Sequence, residues 1–304
     1  MTMLTVFTIP KAFKGPIRTI QFNAIESWLR LKPPCEVLLF GNEEGTAEAA
    51  SQLGARHIPE IECSEYGTPL VSSAFHLAQK LSNSDLFCYA NADMILLSDF
   101  VISMSRVEEK PFLVVGRRWD VNIEDSIDFS DPSWEPKLLE HVRLNGVLHR
   151  PQGLDYFVFS RGLFEEMPPF VVGRVGWDNW MVLHARLSRV PVVDATRAIT
   201  AIHQNHDYSH LPEGEVTMRR GIEAQHNLEL LGGRYRALDV RDATHILTPA
   251  GIRTAGGPMR LRRRIETLPE LYPNLGPLAR ITIALRAVLD VILFIKSKLN
   301  RKSY

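Results

Sequence analysis

Short apolar runs alternate with amphipathic segments over the first hundred residues, and only short connections separate them. The apolar runs are typical of buried strands, because turn-forming residues or proline bound them; they span residues 4–9, 35–40, 55–62 and 86–90. The segments between them carry apolar residues at helical spacing and end at proline or glycine. Strands alternating with helices in this way predict an α/β fold with a mostly parallel, doubly wound central sheet and helices on both faces.

The fourth predicted strand ends in Asn91-Ala92-Asp93. The carboxyl ends of parallel strands are where open α/β sheets place their ligands. A carboxylate and an amide at such an edge suit a divalent cation with phosphate oxygens attached. Taken alone, the tripeptide is equally consistent with a polar turn that closes a strand. The first two strands end at the same edge, so further ligand-binding candidates there are Thr8, Pro10, Asn42 and Glu43.

Bulk composition excludes several classes of function. Lysine plus arginine equals aspartate plus glutamate, 35 each, so the chain lacks the basic surplus of a nucleic-acid-binding protein. Neither a glycine-rich dinucleotide fingerprint after the first strand nor a P-loop motif occurs. The N-terminus lacks the pattern of a signal peptide, and the three cysteines have no metal-binding spacing. We therefore expect a cytoplasmic protein with no nucleic-acid partner.

Two further polar motifs follow downstream. Trp177-Asp178-Asn179-Trp180 begins a predicted helix after a segment rich in proline and glycine, and His203-Gln204-Asn205-His206-Asp207 follows a predicted strand. With Asn91-Ala92-Asp93 before them, the motifs resemble, in type and order, those of nucleotide-sugar glycosyltransferases of the GT-A fold, nearest the family-2-like branch. The resemblance covers roughly residues 3–245.

The resemblance implies a donor and a metal. Asn91-Ala92-Asp93 matches the family's Asp-x-Asp motif, so Asp93 would bind a Mn²⁺ or Mg²⁺ ion that bridges the diphosphate of a nucleotide-sugar donor. Asn91 replaces the usual first aspartate and brings one negative charge less. His203 or His206 matches the histidine that the family supplies as a further metal ligand. A zinc site of His203, His206 and His210 is an alternative, as is a loop whose histidines only make hydrogen bonds.

Asp178 is the candidate catalytic base. An inverting glycosyl transfer needs a carboxylate that removes the proton of the acceptor hydroxyl. Trp177 and Trp180 flank this carboxylate, would partly desolvate it, and are suited to stack on a sugar. The alternative is that Asp178 caps its helix, which is a common role of aspartate.

Asp155 and Tyr156 are weaker candidates on a predicted strand. By resemblance, this strand faces the region of the sugar and the acceptor. The stretch 154–159 also alternates like a half-buried core strand, so a packing role stays open.

The composition changes after residue 245, which predicts one domain over 1–245 and a separate C-terminal region over 246–304. Residues 259–265 are strongly basic, and residues 278–299 predict an amphipathic helix with a wide apolar stripe and basic residues after it. Such a helix suits an anionic membrane surface or packing on its own domain.

The leading hypothesis is therefore a metal-dependent glycosyltransferase that acts on an unknown carbohydrate, lipid or protein acceptor. A sugar-phosphate nucleotidyltransferase is the rival enzyme, although it would normally carry a glycine-rich phosphate loop after the first strand. A non-catalytic nucleotide-sugar-binding protein is the rival from another class, and Asn91 is its best support.

Overall fold

The computed structural model describes residues 4–108, 110–206 and 215–272, together with 274, 281, 284 and 288. The chain forms two compact units, Met1–Thr254 and Ala255–Tyr304. Among the described residues, none of the helices combines the length and the hydropathy that crossing a bilayer requires.

The strands of the described residues form two sheets. They are β1 (Leu4–Thr8), β2 (Glu36–Phe40), β3 (Arg56–Ile58), β4 (Leu86–Ala90), β5 (Met94–Ile95), β6 (Leu113–Val115), β7 (Arg118–Val121), β8 (Val147–Leu148), β9 (Tyr156–Ser160), β10 (Val192–Asp194), β11 (Ala201–Gln204), β12 (His245–Thr248) and β13 (Gly251–Thr254). The large sheet has the order β13-β12-β10-β6-β9-β4-β1-β2-β3, and the small sheet has the order β5-β11-β7-β8.

The helices lie between these strands along the chain. They are α1 (Gly15–Leu29), α2 (Thr46–Leu53), α3 (Val71–Leu81), α4 (Ser98–Met104), α5 (Trp134–Asn145), α6 (Trp177–Leu187), α7 (Glu215–Arg220), α8 (Ile222–Leu231) and α9 (Pro258–Leu271).

The large sheet is mostly parallel, which confirms the predicted α/β class. Strands β1, β2, β3 and β4 pair in parallel, as do β6, β10 and β12. Strand β9 lies between the two groups and runs antiparallel to both β4 and β6, while β13 is antiparallel at one edge. Because β12 and β13 belong to this sheet, the first compact unit ends at Thr254, later than the boundary predicted after residue 245.

Helices cover both faces of the large sheet. On one face, Val6 of β1 belongs to a buried cluster with Trp28 of α1. On the other face, the Phe7 ring packs edge-on against Phe75 of α3, with ring centroids 5.0 Å apart. Alternate residues of a strand point to opposite faces, and this alternation lets one strand hold both layers.

The small sheet carries polar residues to the carboxyl edge of the large one. Its strand β11 pairs in parallel with β7, and the register sets His203 opposite Asp120. On its other side β11 pairs antiparallel with β5, so that His203 also lies opposite Met94. Residues 119–121 therefore belong to a strand at the start of an acidic, turn-rich stretch of sequence, and His203, near the end of β11, lies close to the turn after β4.

The predicted C-terminal helix is described at three positions only. Residues 281, 284 and 288 are helical, and the rest of the segment 278–299 lies outside the described residues. Residues 259–265, which the sequence assigned to a basic linker, are helical and belong to α9.

Candidate metal and donor site

Residues 91–93, here the 91–93 turn, connect β4 of the large sheet to β5 of the small one. The Met94 amide donates to the Asn91 carbonyl at 3.0 Å, which closes the turn. The Asn91 amide in turn donates to the Asp155 carbonyl at 2.9 Å, and the Gln204 amide donates to the Asp93 carbonyl at 3.2 Å. The backbone on both sides of the Asp93 side chain is therefore fixed by β-sheet neighbours.

Asp93, His203 and His206 form a compact cluster whose ligand atoms all lie within 4.8 Å of one another. Asp93 Oδ2 is 3.0 Å from His206 Nε2 and 3.7 Å from His203 Nε2. The other carboxylate oxygen, Oδ1, is buried without a hydrogen-bond partner among the described residues. The structure thus brings together the three residues that the sequence nominated as metal ligands. A buried oxygen without a partner beside two imidazoles fits a divalent cation. His210, considered for a zinc site, lies outside the described residues.

Electrostatics keep the Asp93 carboxylate ionised. Burial raises its pKa, but His203, the hydrogen bond from His206 and the charge of Lys11 outweigh burial and hold the pKa well below the usual range. For His203, burial lowers the pKa, whereas the carboxylates of Asp93 and Asp120 raise it above its ordinary value overall. The carboxylates around His203 therefore favour a positive charge at this position, as they would favour a bound cation.

Asn91 uses its side-chain amide on another carboxylate. Its Nδ2 donates to Asp155 Oδ1 at 2.6 Å, and Asp155 Oδ2 pairs with Arg118 Nη1 at 2.5 Å. Asp155, predicted in the sugar and acceptor region, instead lies against the 91–93 turn and is only 8% exposed. A carboxylate therefore does lie next to the first residue of the 91–93 turn, although it belongs to residue 155 rather than to residue 91.

Sequence reasoning missed two residues of the site, Arg118 and Asp120 on β7. The Arg118 guanidinium joins the two carboxylates, since its Nε donates to Asp120 Oδ1 at 2.9 Å while Nη1 pairs with Asp155. Asp120 also contacts His149, with Nδ1 and Oδ2 2.5 Å apart. The polar–apolar alternation of residues 118–121 is a signal for a strand. The many acidic and turn-forming residues that follow obscured it.

Asp178 lies in the first turn of α6, two residues after Gly176. Burial, with a smaller contribution from the nearby Asp155 carboxylate, raises the pKa of its carboxyl to about 7 against hydrogen bonds from the backbone. Gly176 occupies the N-cap position with φ +110°, and its amide reaches Asp178 Oδ1 only at 3.3 Å. Asp178 does not occupy the N-cap position, although its carboxyl accepts backbone hydrogen bonds at this helix end, and its raised pKa suits proton transfer near neutral pH.

The proline- and glycine-rich segment before α6 is anchored. Asn227 of α8 is fully buried and makes two hydrogen bonds of 2.9 Å to the backbone of Val171. Arg174 pairs with Glu223 of the same helix at 2.7 Å. Contacts from α8 therefore hold this segment in place beside Asp178.

Three predicted sugar-contacting residues turn out to be core residues. Trp177 packs on Tyr89 and Phe157, and Trp180 stacks on His184 with ring centroids 4.6 Å apart. Tyr156 is fully buried in the cluster on the opposite face of β9 from Asp155. Their burial argues against the sugar-stacking and acceptor roles suggested for them, because little of any of these rings is accessible.

The residues predicted at the other strand ends differ in exposure. Thr8, the last residue of β1, and Pro10 are buried, and Thr8 Oγ1 has no hydrogen-bond partner among the described residues. Asn42 and Glu43 are exposed after β2. Their role in donor binding stays a prediction. Lys11 is the additional residue at this edge, because its charge acts on Asp93.

A cleft of about 1050 Å³ opens beside the cluster. Asp120 and Asn205 line its inner end, and Trp134 lies in its wall together with acidic side chains from residues 124–131. The acidic segment that the sequence interpreted as a solvated loop therefore forms one side of a cavity that reaches the candidate site.

Comparisons with known proteins found structures but no sequence relatives. No family model and no curated protein matches the chain. The crystal structure of M. tuberculosis glucosyl-3-phosphoglycerate synthase shares 17% identity at a TM-score of 0.46, over 77% of this chain and 82% of that one. The structure of that synthase with Mg²⁺ and uridine diphosphate gives 16% identity and a TM-score of 0.45, over 85% and 89% of the two chains.

A third structure, the same synthase with Mn²⁺, uridine diphosphate and phosphoglyceric acid, gives 14% identity and a TM-score of 0.45, over 85% and 88% of the two chains. Glucosyl-3-phosphoglycerate synthase is a GT-A nucleotide-sugar glycosyltransferase, the class that the sequence resembles. At this level of similarity, the chemistry of the present chain has to be inferred from its own residues.

Proposed function

We propose that the protein is a divalent-metal-dependent glycosyltransferase that moves a sugar from a nucleotide-diphosphate donor to an acceptor hydroxyl. The observation that supports this function best is the Asp93, His203 and His206 cluster at the carboxyl edge of the sheet. A carboxyl with a pKa of about 7, Asp178, lies near Asp155, which contacts the same turn. A metal site beside a half-buried, titratable carboxyl is the combination that a metal-assisted group transfer needs.

The ligand set favours Mn²⁺ over Mg²⁺. Magnesium takes oxygen ligands in octahedral geometry, whereas the cluster offers two imidazole nitrogens and one carboxylate. When bound, the cation would stabilise the negative charge that develops on the diphosphate leaving group. The orphaned Oδ1 atom of Asp93 is the oxygen ligand best placed for it.

The chain's own residues would divide the remaining work. Lys11, whose charge already acts on Asp93, is placed to contact the donor phosphates. Asp178 would remove the proton of the acceptor hydroxyl, because a base with a pKa near 7 is both ionised and sufficiently basic at neutral pH. Direct attack assisted by this carboxylate would invert the anomeric centre. The acceptor would enter through the cleft that begins at Asp120 and Asn205.

The rival functions receive less support from these residues. A non-catalytic sugar-nucleotide binder was suggested by Asn91, but Asp155 places a carboxylate 2.6 Å from the Asn91 amide. A binder would also have no use for a half-buried carboxyl with a pKa of about 7. A nucleotidyltransferase would use a glycine-rich phosphate loop after β1, where residues 9–14 contain no glycine.

A thermal-shift panel tests donor and metal together. Wild type is heated with UDP-, GDP-, ADP- and CMP-sugars, each with and without Mn²⁺. A ligand at one hundred times its dissociation constant stabilises by about 2.7 kcal/mol, which raises Tm by roughly 5–10 °C in a domain of this size. We expect one donor to give this shift only with Mn²⁺, and Asp93→Asn to lose it.

The matched control is Asp85→Asn, which removes an exposed carboxylate that belongs neither to the cluster nor to the lining of the cleft. It should keep the full metal-dependent shift. A shift that is the same with and without Mn²⁺ for every donor would contradict the proposed function.

We further propose that the protein is cytoplasmic and contacts membrane surfaces peripherally through its C-terminal unit. Within that unit, α9 exposes Met259 and Leu261, which are 77% and 59% accessible, on a helix that carries four arginines. Exposed apolar side chains beside basic ones favour an anionic interface.

A further inference from the structure

Asp120 faces His203 across the small sheet. The two residues are direct partners in the parallel pairing of β7 and β11. Asp120 Oδ1 lies 3.3 Å from His203 Nδ1, the ring nitrogen that points away from Asp93. His203 is 9% exposed, and its Nδ1 is buried with no hydrogen bond of regular geometry. In the described part of the chain, Asp120 is therefore the acceptor within reach of this nitrogen.

We propose that Asp120 is a positioning residue that orients His203 for cation binding, a role that rests on the proposed function. A proton on Nδ1, donated toward Asp120, leaves the lone pair of Nε2 directed at the Asp93 side of the cluster. Nε2 is 3.7 Å from Asp93 Oδ2, so a nitrogen lone pair and a carboxylate oxygen would face each other there. A cation bound between these two atoms would remove the repulsion between the lone pair and the carboxylate oxygen. Carboxylates fix metal-binding histidines in this way, by setting the tautomer and the ring orientation.

Asp120 is itself held from two sides. Arg118 Nε donates to Oδ1 at 2.9 Å, and His149 Nδ1 lies 2.5 Å from Oδ2. The side chains of Arg118 and Asp120 are 13% and 21% exposed. These contacts leave the carboxylate little freedom to rotate, which is what a residue that orients another one requires.

The same arginine connects Asp120 to the 91–93 turn. Arg118 Nη1 pairs with Asp155, and Asp155 accepts from Asn91. A continuous series of contacts therefore runs from Asn91 through Asp155, Arg118 and Asp120 to His203. It joins the first residue of the turn to a ligand candidate that lies 112 positions further along the chain. Asp120 is not one of the three clustered ligand candidates, so its action on a cation passes through His203.

Calorimetric titration with Mn²⁺ alone tests the positioning role without any assay of turnover. Asp120→Asn keeps the shape of the side chain and removes its charge. We expect it to weaken Mn²⁺ binding by about 10–100-fold, the range found for outer-shell partners of metal ligands. The matched control is Asp85→Asn, the same substitution at an exposed carboxylate before β4 that is not part of the cluster, and it should bind Mn²⁺ within about threefold of wild type.

Nitrogen NMR of histidine-labelled protein supplies a second readout. In metal-free wild type we expect His203 to carry its proton on Nδ1, whereas Asp120→Asn should show a mixture of tautomers. A purely structural role for Asp120 would change the melting temperature without changing the tautomer. If Asp120→Asn does not fold, Asp120→Glu serves instead, because it keeps the charge and displaces the carboxylate by one methylene; the same loss of affinity is expected.

The outcomes separate the two proposals. Wild type that binds no Mn²⁺ would overturn the proposed function. The positioning role alone would be overturned by a different result. In that case wild type binds Mn²⁺ and Asp93→Asn does not, while Asp120→Asn keeps the affinity and the His203 tautomer of wild type.

Discussion

Replacing Asp178 by asparagine should make the protein more stable and less active at the same time. Burial is the main cause that raises the pKa of this carboxyl from 3.8 to about 7. Because the folded state disfavours the charged form, the carboxyl contributes most to the free energy of unfolding below pH 4. That contribution falls as the pH rises to 7. Each pKa unit corresponds to about 1.4 kcal/mol, so above pH 7 the ionised carboxylate costs at most about 4 kcal/mol.

The side chain is partly accessible, so we expect Asp178→Asn to raise the free energy of unfolding by about 2–4 kcal/mol at pH 8 and by little at pH 4. The matching rise in Tm at pH 8 is about 5–12 °C. Urea unfolding at both pH values measures the difference. Glycosyl transfer should fall by about 10²–10⁴-fold if the carboxylate is the base. Lower stability of the variant at pH 8, or undiminished turnover, would refute this reasoning.

Three further predictions follow from other contacts. Asn91→Asp, which restores the usual family motif, would place a second carboxylate against Asp155 Oδ1. It should lower the free energy of unfolding by about 2–4 kcal/mol at pH 7 in EDTA, and by less at pH 5. Equal stability of variant and wild type in urea would show that the pair tolerates two charges. Arg118→Met should cost about 3–5 kcal/mol by leaving Asp155 and Asp120 unpaired, and chemical unfolding within 1 kcal/mol of wild type would contradict the buried pairing. Truncation after Thr254, which removes α9 with the rest of the C-terminal unit, should reduce co-sedimentation with anionic liposomes, and equal pelleting of both forms would contradict the membrane contact.

Local signals were sufficient for much of the fold and for part of the site. The alternation of apolar runs and amphipathic segments predicted the strands and helices of the first hundred residues, because buried parallel strands need continuous apolar runs. The turn at Asn91 and Asp93 followed from its position at the end of β4. His203 and His206 were also nominated, with His203 at the end of a predicted strand over 198–203 that corresponds to β11.

The other site residues could not be predicted, because their positions depend on long-range strand pairing and on the face of the sheet to which a strand residue points. Arg118 and Asp120 make contacts with residues 155 and 203 that no local pattern reveals, and the acidic stretch after them indicated a loop. Tyr156 was assigned to the site with its neighbour Asp155, but successive strand residues point to opposite faces. Trp177 was suggested to stack on a sugar because it flanks Asp178, whereas its packing on Tyr89 and Phe157 buries it.

Metal-dependent consumption of a nucleotide sugar tests the central claim most directly. Wild type and Asp93→Asn would be incubated with a panel of UDP-, GDP- and ADP-sugars, with Mn²⁺ or with EDTA, and the free nucleoside diphosphate would be quantified by chromatography. We predict that wild type releases the diphosphate from one of these donors with Mn²⁺, and that both EDTA and Asp93→Asn reduce the release at least a hundredfold, to the order of 1%. Release that is equally fast in EDTA, or in Asp93→Asn, would contradict a catalytic metal at the 91–93 turn.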